Sequence, residues 1–266
     1  IFVKNVDVVV GTSPQIFAAQ SACTLSIFKR KPFIMEIRDL WPESIDAFKS
    51  PLRRPVSYFG QIIANKLYRN ASKIVVVTEA FKKELRRKGV KESKIKVITN
   101  GVNLDIFKEF DKNFKQSMPE LSGRFVVGYI GSHQEAHCLD IILDVAEKAK
   151  SDKNCHDIFF LTIGTGSEQK RLSLAAKKRG LDNLKMIGHV PREQIVNYWS
   201  ILDLSILHLK DTPIFNSVLP SKLFESIAAK VPIMCGVKGE AKRLIESEKV
   251  GLYFHPEDEI DLLKKI

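Results

Sequence analysis

At 266 residues, 44% hydrophobic and +11 in formal charge, the chain has the length for two medium cores in preference to one large one. No apolar run approaches the roughly 18–20 residues that a membrane helix needs, and the first residues lack the charge-then-apolar order of a signal peptide. Four scattered cysteines, Cys23, Cys138, Cys155 and Cys235, have no CxxC spacing, which removes a disulfide framework or zinc ribbon and points to a reducing cytoplasm.

In chain order, Val6–Val10, Phe33–Ile37, Lys73–Val77 and Ile95–Ile98 read as parallel strands, with helical periodicity between them over 51–70 and 80–88. The basic residues bunch in this first part, at Lys29-Arg30-Lys31, Arg53-Arg54 and from Lys82 to Lys96. Solvated helix faces explain such runs. So does contact with anionic lipid headgroups, at about 1 kcal/mol per Lys or Arg near the surface. Nucleic acid is not expected as a partner, because no RNP, zinc-finger or recognition-helix pattern accompanies the charge. Residues 103–123 are polar and mixed, with Pro119 and Gly123 near their end, and a domain junction is expected there, dividing the chain into 1–118 and 119–266.

A second alternating series follows. Strands are expected at Phe125–Ile130, Ile158–Ile163, Leu184–Ile187, Leu204–Leu207, Val231–Cys235 and Gly251–Phe254. Helices are expected at Leu139–Lys150, Glu168–Arg179, Arg192–Ile201, Lys222–Ala229, Glu240–Glu246 and Glu257–Ile266. Strand–helix alternation gives parallel sheets with helices on both faces. The fold class is therefore α/β, with two Rossmann-like halves. The first half opens inside a strand–helix unit with about four strands against the ~6 of a full doubly wound domain, and the last helix stops abruptly. The expectation is a sequence cut at both ends, with the first domain incomplete.

Several strand ends carry polar residues, and ligands bind outside the carboxyl ends of parallel strands. Arg38-Asp39-Leu-Trp41-Pro42 is one such end, readable as a functional site or as an Arg38–Asp39 structural pair beside a core Trp41. Asn100-Gly101-Val-Asn103 is a turn in which Asn and Gly tolerate positive φ. In Gly131-Ser-His-Gln-Glu-Ala-His-Cys138, His133 and His137 stand at i, i+4. The zinc-protease pattern needs Glu directly after the first His; Gln134 holds that place, so no metal is expected and a loop beside a nucleotide is the better account. Gly164-Thr-Gly166 allows a tight strand-to-helix turn and close approach of a ligand, or is a plain turn. Gly188-His-Val190-Pro191 could present backbone groups to a base edge or simply start a helix at Pro191.

Leu219-Pro-Ser-Lys-Leu-Phe-Glu-Ser-Ile-Ala-Ala-Lys-Val-Pro-Ile233 is the most informative stretch. It reads as loop, short helix and buried strand. The free amides at the helix start, on Ser221, Lys222 and Leu223, can hold an anion. Lys222 adds a positive charge, and Glu225 offers two acceptor oxygens suited to a sugar diol. An amphipathic helix with an exposed Glu is the plain alternative.

The order of these phrases resembles the retaining GT-B glycosyltransferases of family 4, and within them the bacterial polysaccharide branch that includes the N-acetyl-L-fucosamine transferases. The matching phrases are Val9-Val-Gly-Thr-Ser-Pro14, Glu36-Ile-Arg-Asp-Leu-Trp-Pro-Glu-Ser44, Asn100-Gly-Val-Asn103 with Phe107, and Tyr129-Ile-Gly131. They continue with Gly164-Thr-Gly166, Gly188-His-Val-Pro191, Leu219-Pro-Ser-Lys-Leu-Phe-Glu225 and Gly239-Glu-Ala241. The resemblance implies two Rossmann-like domains facing across a cleft. The second domain would bind a nucleotide diphosphate sugar, expected to be UDP-linked, with Glu225 on the ribose hydroxyls, Gly164 and Gly166 under the nucleotide, and Val190 near the base. The first domain would bind a polyprenyl-diphosphate-linked or saccharide acceptor at the inner face of an anionic membrane, with Arg38 and Asp39 as catalytic neighbours and no cofactor. Three departures stand out. Ser217 occupies the place of the first glutamate of the family's E-x7-E motif, and the Arg and Lys that often neutralise the diphosphate in relatives fall near Ser132 and His137. Lys222 is the best-placed compensating charge. A UDP-sugar 2-epimerase of the same architecture and a non-catalytic basic module for nucleic acid are the alternatives.

Overall fold

A computed structural model describes residues 4–40, 53–111 and 113–266. Trp41 and the rest of the phrase after Leu40 lie outside the described residues. By contacts the chain forms two compact units, Ile1–Asn100 with Ser217–Leu219, and Gly101–Asn216 with Pro220–Ile266. The segment that the sequence marks as a junction belongs to the second unit. Its 3-10 turns, Leu104–Phe107, Phe114–Ser117 and Pro119–Leu121, set Met118 and Leu121 into that unit's core, with Phe107 and Phe114 packed against it.

The first unit runs β1 (Val9–Ser13), α1 (Ile16–Lys29), β2 (Phe33–Ile37), α2 (Arg53–Asn70), β3 (Lys73–Val76), α3 (Glu79–Arg87) and β4 (Ile95–Val97). The strands are parallel in the order β1-β2-β3-β4. Sequential order means that every right-handed crossover goes the same way, so the helices lie on one face. Ile16, Ala19 and Cys23 of α1, Ala64 and Leu67 of α2, and Phe81 and Leu85 of α3 accordingly share one cluster with Phe33, Met35, Ile37, Ile74 and Val76. Among the described residues this sheet is thus covered on one side, not on both as expected.

The structure corrects three details. β1 starts at Val9, three residues later than the apolar run suggests, because its register against β2 pairs Val9 with Phe33 and Ser13 with Ile37. Periodicity does not single out α1, whose sequence mixes small residues with exposed Phe17, Ile27 and Phe28. Gly101 and Asn100 do not take positive φ; Asn103 shapes that turn instead, its Oδ1 accepting from the Asp105 amide at 3.0 Å.

The second unit runs β5 (Phe125–Ile130), α4 (Asp140–Ser151), β6 (Ile158–Ile163), α5 (Gln169–Lys178), β7 (Leu184–Ile187), α6 (Ile195–Trp199), β8 (Leu204–His208), α7 (Ser221–Ala228), β9 (Ile233–Gly236), α8 (Glu240–Glu248), β10 (Gly251–Tyr253) and α9 (Glu259–Lys265). α6 is shorter than expected, its first residues forming a turn in which the Gln194 amide bonds Pro191 O at 3.0 Å. The parallel order is β10-β9-β8-β5-β6-β7. The chain starts in the middle, works outward through β7, then returns to lay β8 beside β5 on the opposite side from β6. That reversal is the doubly wound pattern, and it places a crevice at the carboxyl ends of β5 and β8. β6 is buried along its whole length, and successive residues of β5 and β6 feed two different clusters, Val127, Tyr129 and Phe160 on one face and Val126, Ile130 and Phe159 on the other. Two helix-covered faces explain why these strands read as continuous apolar runs.

Beneath the β8 end, Phe254 is fully buried and stacks on His208 with ring centroids 5.8 Å apart and planes 11° apart. Phe254→Ala is expected to lower unfolding free energy by about 3–5 kcal/mol, a fall in Tm on the order of 10 °C, read by thermal melting.

Candidate functional site at the β5–β8 switch point

β5 and β8 are paired only at Val127–Leu204 and Gly128–Ser205, whereas β5 pairs with β6 over all six of its residues. Beyond Gly128 the pairing with β8 ends, and the loop after β5, the end of β8 and α7 meet there. Ser226 of α7 fastens this junction: its Oγ donates to Lys222 O at 2.9 Å and lies 3.0 Å from Ser205 Oγ.

The loop after β5 is locked to the turn after β6. The His133 amide bonds Thr165 O at 2.9 Å, and the Glu168 amide bonds His133 O at 3.0 Å. A Cβ on Gly164, at φ +141°, would collide with the Gly131 carbonyl, and one on Gly166 with the His133 carbonyl. These glycines thus allow two backbones to touch. The Gly131 and Gly164 amides are spent on Ile163 O and Ile187 O, at 2.9 and 3.0 Å.

The end of β8 is stitched to the same loop. The Glu257 amide donates to His208 Nε2 at 3.0 Å, so that nitrogen carries no proton; His208 Nδ1–H then donates to His137 O at 2.8 Å. The ring is neutral, and burial pushes its pKa down. His133 is fully buried with both ring nitrogens unpartnered, as is Nδ1 of His137. Burial, reinforced by the nearby Lys222 charge, lowers His133 to about 4 and His137 to about 3. At neutral pH the three imidazoles bring no charge. Among the described residues no group of three or more His, Cys, Asp or Glu is placed to hold a metal ion.

The positive charge is Lys222. Its Nζ lies 2.5 Å from Tyr129 Oη and 4.0 Å from the Tyr129 ring centroid. A Cβ on Gly131 would fall 2.7 Å from it. Among the described residues no carboxylate makes an ion pair with Lys222, and burial lowers its pKa to about 7, with Glu225 acting the other way. Glu225 follows one turn later on α7; burial raises its carboxyl, opposed by Lys222 and Arg192. A desolvated amine without a counter-ion, among neutral imidazoles with open nitrogens, can receive an anion.

A family model described as Glycosyl transferases group 1 matches residues 110–266, more than half of the chain. The chain belongs to that family. A second model, Glycosyltransferase Family 4, matches residues 2–106. TuaH of Bacillus subtilis (strain 168), provisionally named a teichuronic acid biosynthesis glycosyltransferase, is 24% identical over 213 residues, 79% of this chain and 51% of the relative. Anabaena HepE, solved with UDP-glucose, superposes with a TM-score of 0.76 at 18% identity, over 96% of this chain and 67% of that one. S. aureus TarM, solved as a mutant with Fondaparinux, alpha-GlcNAc-glycerol and UDP, gives 0.66 at 18% identity, over 96% and 47%. The chain spans about half the length of the curated relative it matches. The fold is α/β of the GT-B type.

In this group 1 family member, Gly131, Ser132, His137, Gly164, Gly166 and Lys222 come together around the switch point. Ser132 Oγ lies 3.5 Å from His137 Nε2. Of the three α7 amides expected to face an anion, that of Leu223 is spent on Pro220 O at 3.0 Å, and its side chain is core; Ser221 is exposed at the helix start. Val190 packs its side chain against the cluster around Trp199. Arg38 and Asp39 follow β2 in the first unit and make no ion pair with each other. Arg38 is exposed, while Asp39 is half-buried with its carboxyl raised by desolvation. Two residues escape the sequence reading. Tyr129 looks like core inside an apolar strand, and His208 ends β8 one residue past the expected limit; a polar residue closing a buried strand at the switch point is the signal that could have found it. Gly164→Ala is expected to cost about 1–3 kcal/mol through its positive φ, with a further loss from the Gly131 carbonyl clash, measured as a lowered Tm and faster proteolysis of the 131–138 loop.

Proposed function

We propose that this chain acts as a glycosyltransferase that moves a sugar from a UDP-linked donor to a lipid-linked or polysaccharide acceptor in the cytoplasm, for surface-polysaccharide synthesis. The observation that carries the reading is the Lys222 amine, buried at the switch point without a carboxylate. The donor diphosphate would take Lys222 together with the Ser221 and Ser132 region. Glu225 would accept from the ribose hydroxyls, and the base would lie toward Val190 beyond Gly164 and Gly166. UDP in the HepE and TarM complexes supports the choice of base. The resemblance of the RDLWPES and PSKLFE phrases supports the N-acetyl-L-fucosamine transferase branch.

In this mechanism the acceptor oxygen bonds to the anomeric carbon on the face from which the phosphate departs. The carbon–oxygen bond to the β-phosphate breaks, and the leaving phosphate takes the acceptor's proton, so configuration is retained. Negative charge grows on the β-phosphate, and a fixed cation in a desolvated pocket stabilises it more than water would. Arg38 and Asp39 would serve the acceptor side.

Residues 1–100 hold 19 Lys and Arg against 8 Asp and Glu, so the whole +11 excess resides there. That supports a peripheral contact with anionic lipid. Among the described residues no helix is long and apolar enough to cross a membrane.

Thermal-shift screening of UDP, GDP, ADP and TDP is expected to rank UDP first. Glu225→Ala should reduce the advantage of UDP over inorganic pyrophosphate; equal shifts from all four nucleotides would refute the donor assignment. Binding to vesicles rich in phosphatidylglycerol should exceed binding to neutral ones and weaken steeply from 50 to 500 mM salt; indifference to lipid charge would remove the membrane contact.

A further inference from the structure

Tyr129 is fully buried in β5, yet its hydroxyl is engaged on two sides. It donates to Ser132 O at 2.9 Å and lies 2.5 Å from Lys222 Nζ. A phenol has one proton; with that proton on the carbonyl, only an acceptor lone pair remains for the amine. The ring also carries the amine on its face, at 4.0 Å from the centroid, a favourable place for a cation. Glycine at 131 leaves the room, since a Cβ there would lie 2.7 Å from Nζ. Hydroxyl, ring and missing side chain together fix where the amine points.

The groups facing Lys222 come from four directions: Tyr129 from β5, His133 and His137 from the following loop, His208 from β8, and Glu225 from its own helix. The imidazoles are neutral, and burial keeps the Tyr129 phenol protonated. Among the described residues Glu225 is the one carboxylate whose charge acts on the amine, and it makes no ion pair with it.

We propose that Tyr129 is a positioning residue for the donor, holding the Lys222 amine over the Gly131 turn, and that arrival of the diphosphate carries a proton onto Lys222. The inference rests on the donor-site reading above. With Lys222 lowered to about 7 by burial, the empty site is mostly uncharged at pH 8. A bound anion raises that pKa, so affinity is full below about pH 7 and falls as pH rises, by up to about tenfold per unit. The Tyr129 oxygen favours the charged amine; without it the fall begins at lower pH.

The test is calorimetric titration of the 266-residue chain with UDP from pH 6.5 to 8.5, in buffers of two ionisation enthalpies. At pH 8 free UDP has already lost its phosphate protons, whose last pKa is about 6. Wild type should take up nearly one proton at pH 8. Lys222→Met should bind weakly, without pH dependence and without proton uptake. Tyr129→Phe keeps the ring and should raise Kd about tenfold at pH 8, with the onset of the fall moved to lower pH. In the Lys222→Met background, the same change should alter Kd less than about twofold. If Tyr129→Phe loses its melting transition, Gly131→Ala, which displaces the amine and leaves the hydroxyl, should give the same profile. A purely structural Tyr129 would weaken binding equally in both backgrounds with an unmoved pH onset, and that result overturns the inference alone. Absence of UDP binding in wild type, or wild-type affinity in Lys222→Met, overturns the donor-site reading and the inference with it.

Discussion

The second unit depends on one topological constraint, the return of the chain from β7 to lay β8 against β5. The reversal sends the helices to opposite faces and leaves the carboxyl ends of the two central strands without a helix between them. With pairing limited to Val127–Leu204 and Gly128–Ser205, the backbone groups beyond must find partners elsewhere. The chain answers with loops that bond each other: His133 to Thr165, Glu168 to His133, and His208 to both His137 and Glu257. A rigid rim follows from satisfying those groups. The phosphate site proposed on it is therefore preorganised by the same bonds that close the fold.

Legibility in the sequence follows burial. β5, β6 and β7 match the expected Phe125–Ile130, Ile158–Ile163 and Leu184–Ile187 residue for residue; for β5 and β6 the reason is that strands covered by helices must be apolar and must end where the loop becomes polar. β1 and α1 were displaced or unnamed for the opposite reason. An edge strand ending in Gly-Thr-Ser, and a helix with exposed Phe17 and Phe28, give hydrophobicity no single face to report. At the site, the glycines, Lys222 and Glu225 are legible because ligands bind outside the carboxyl ends of parallel strands and at helix starts, where Gly, Lys and Glu have a chemical use. Tyr129 is not, because a tyrosine in an apolar run reads as core until its hydroxyl is seen against Lys222 and Ser132. Leu223 shows what a helix start leaves unsaid. A sequence reveals a helix start but not which of its amides the preceding carbonyl, here Pro220 O, has already taken.

Charge is divided as sharply as topology. Residues 1–100 carry the entire excess, while 101–266 hold equal numbers of acidic and basic residues. A neutral second unit cannot attract a diphosphate by its net field, and exposed surface charge is screened over about 8 Å at physiological salt. What remains effective is a cation withdrawn from water, whose field is screened much less. Lys222 fits that requirement, and burial is also what makes its charge conditional. By the resemblance, Ser132 and His137 stand near the places where relatives carry cations, and His137 is neutral at the pH of a cell. With Lys222 the cation proposed for the diphosphate, occupancy and protonation would become one event.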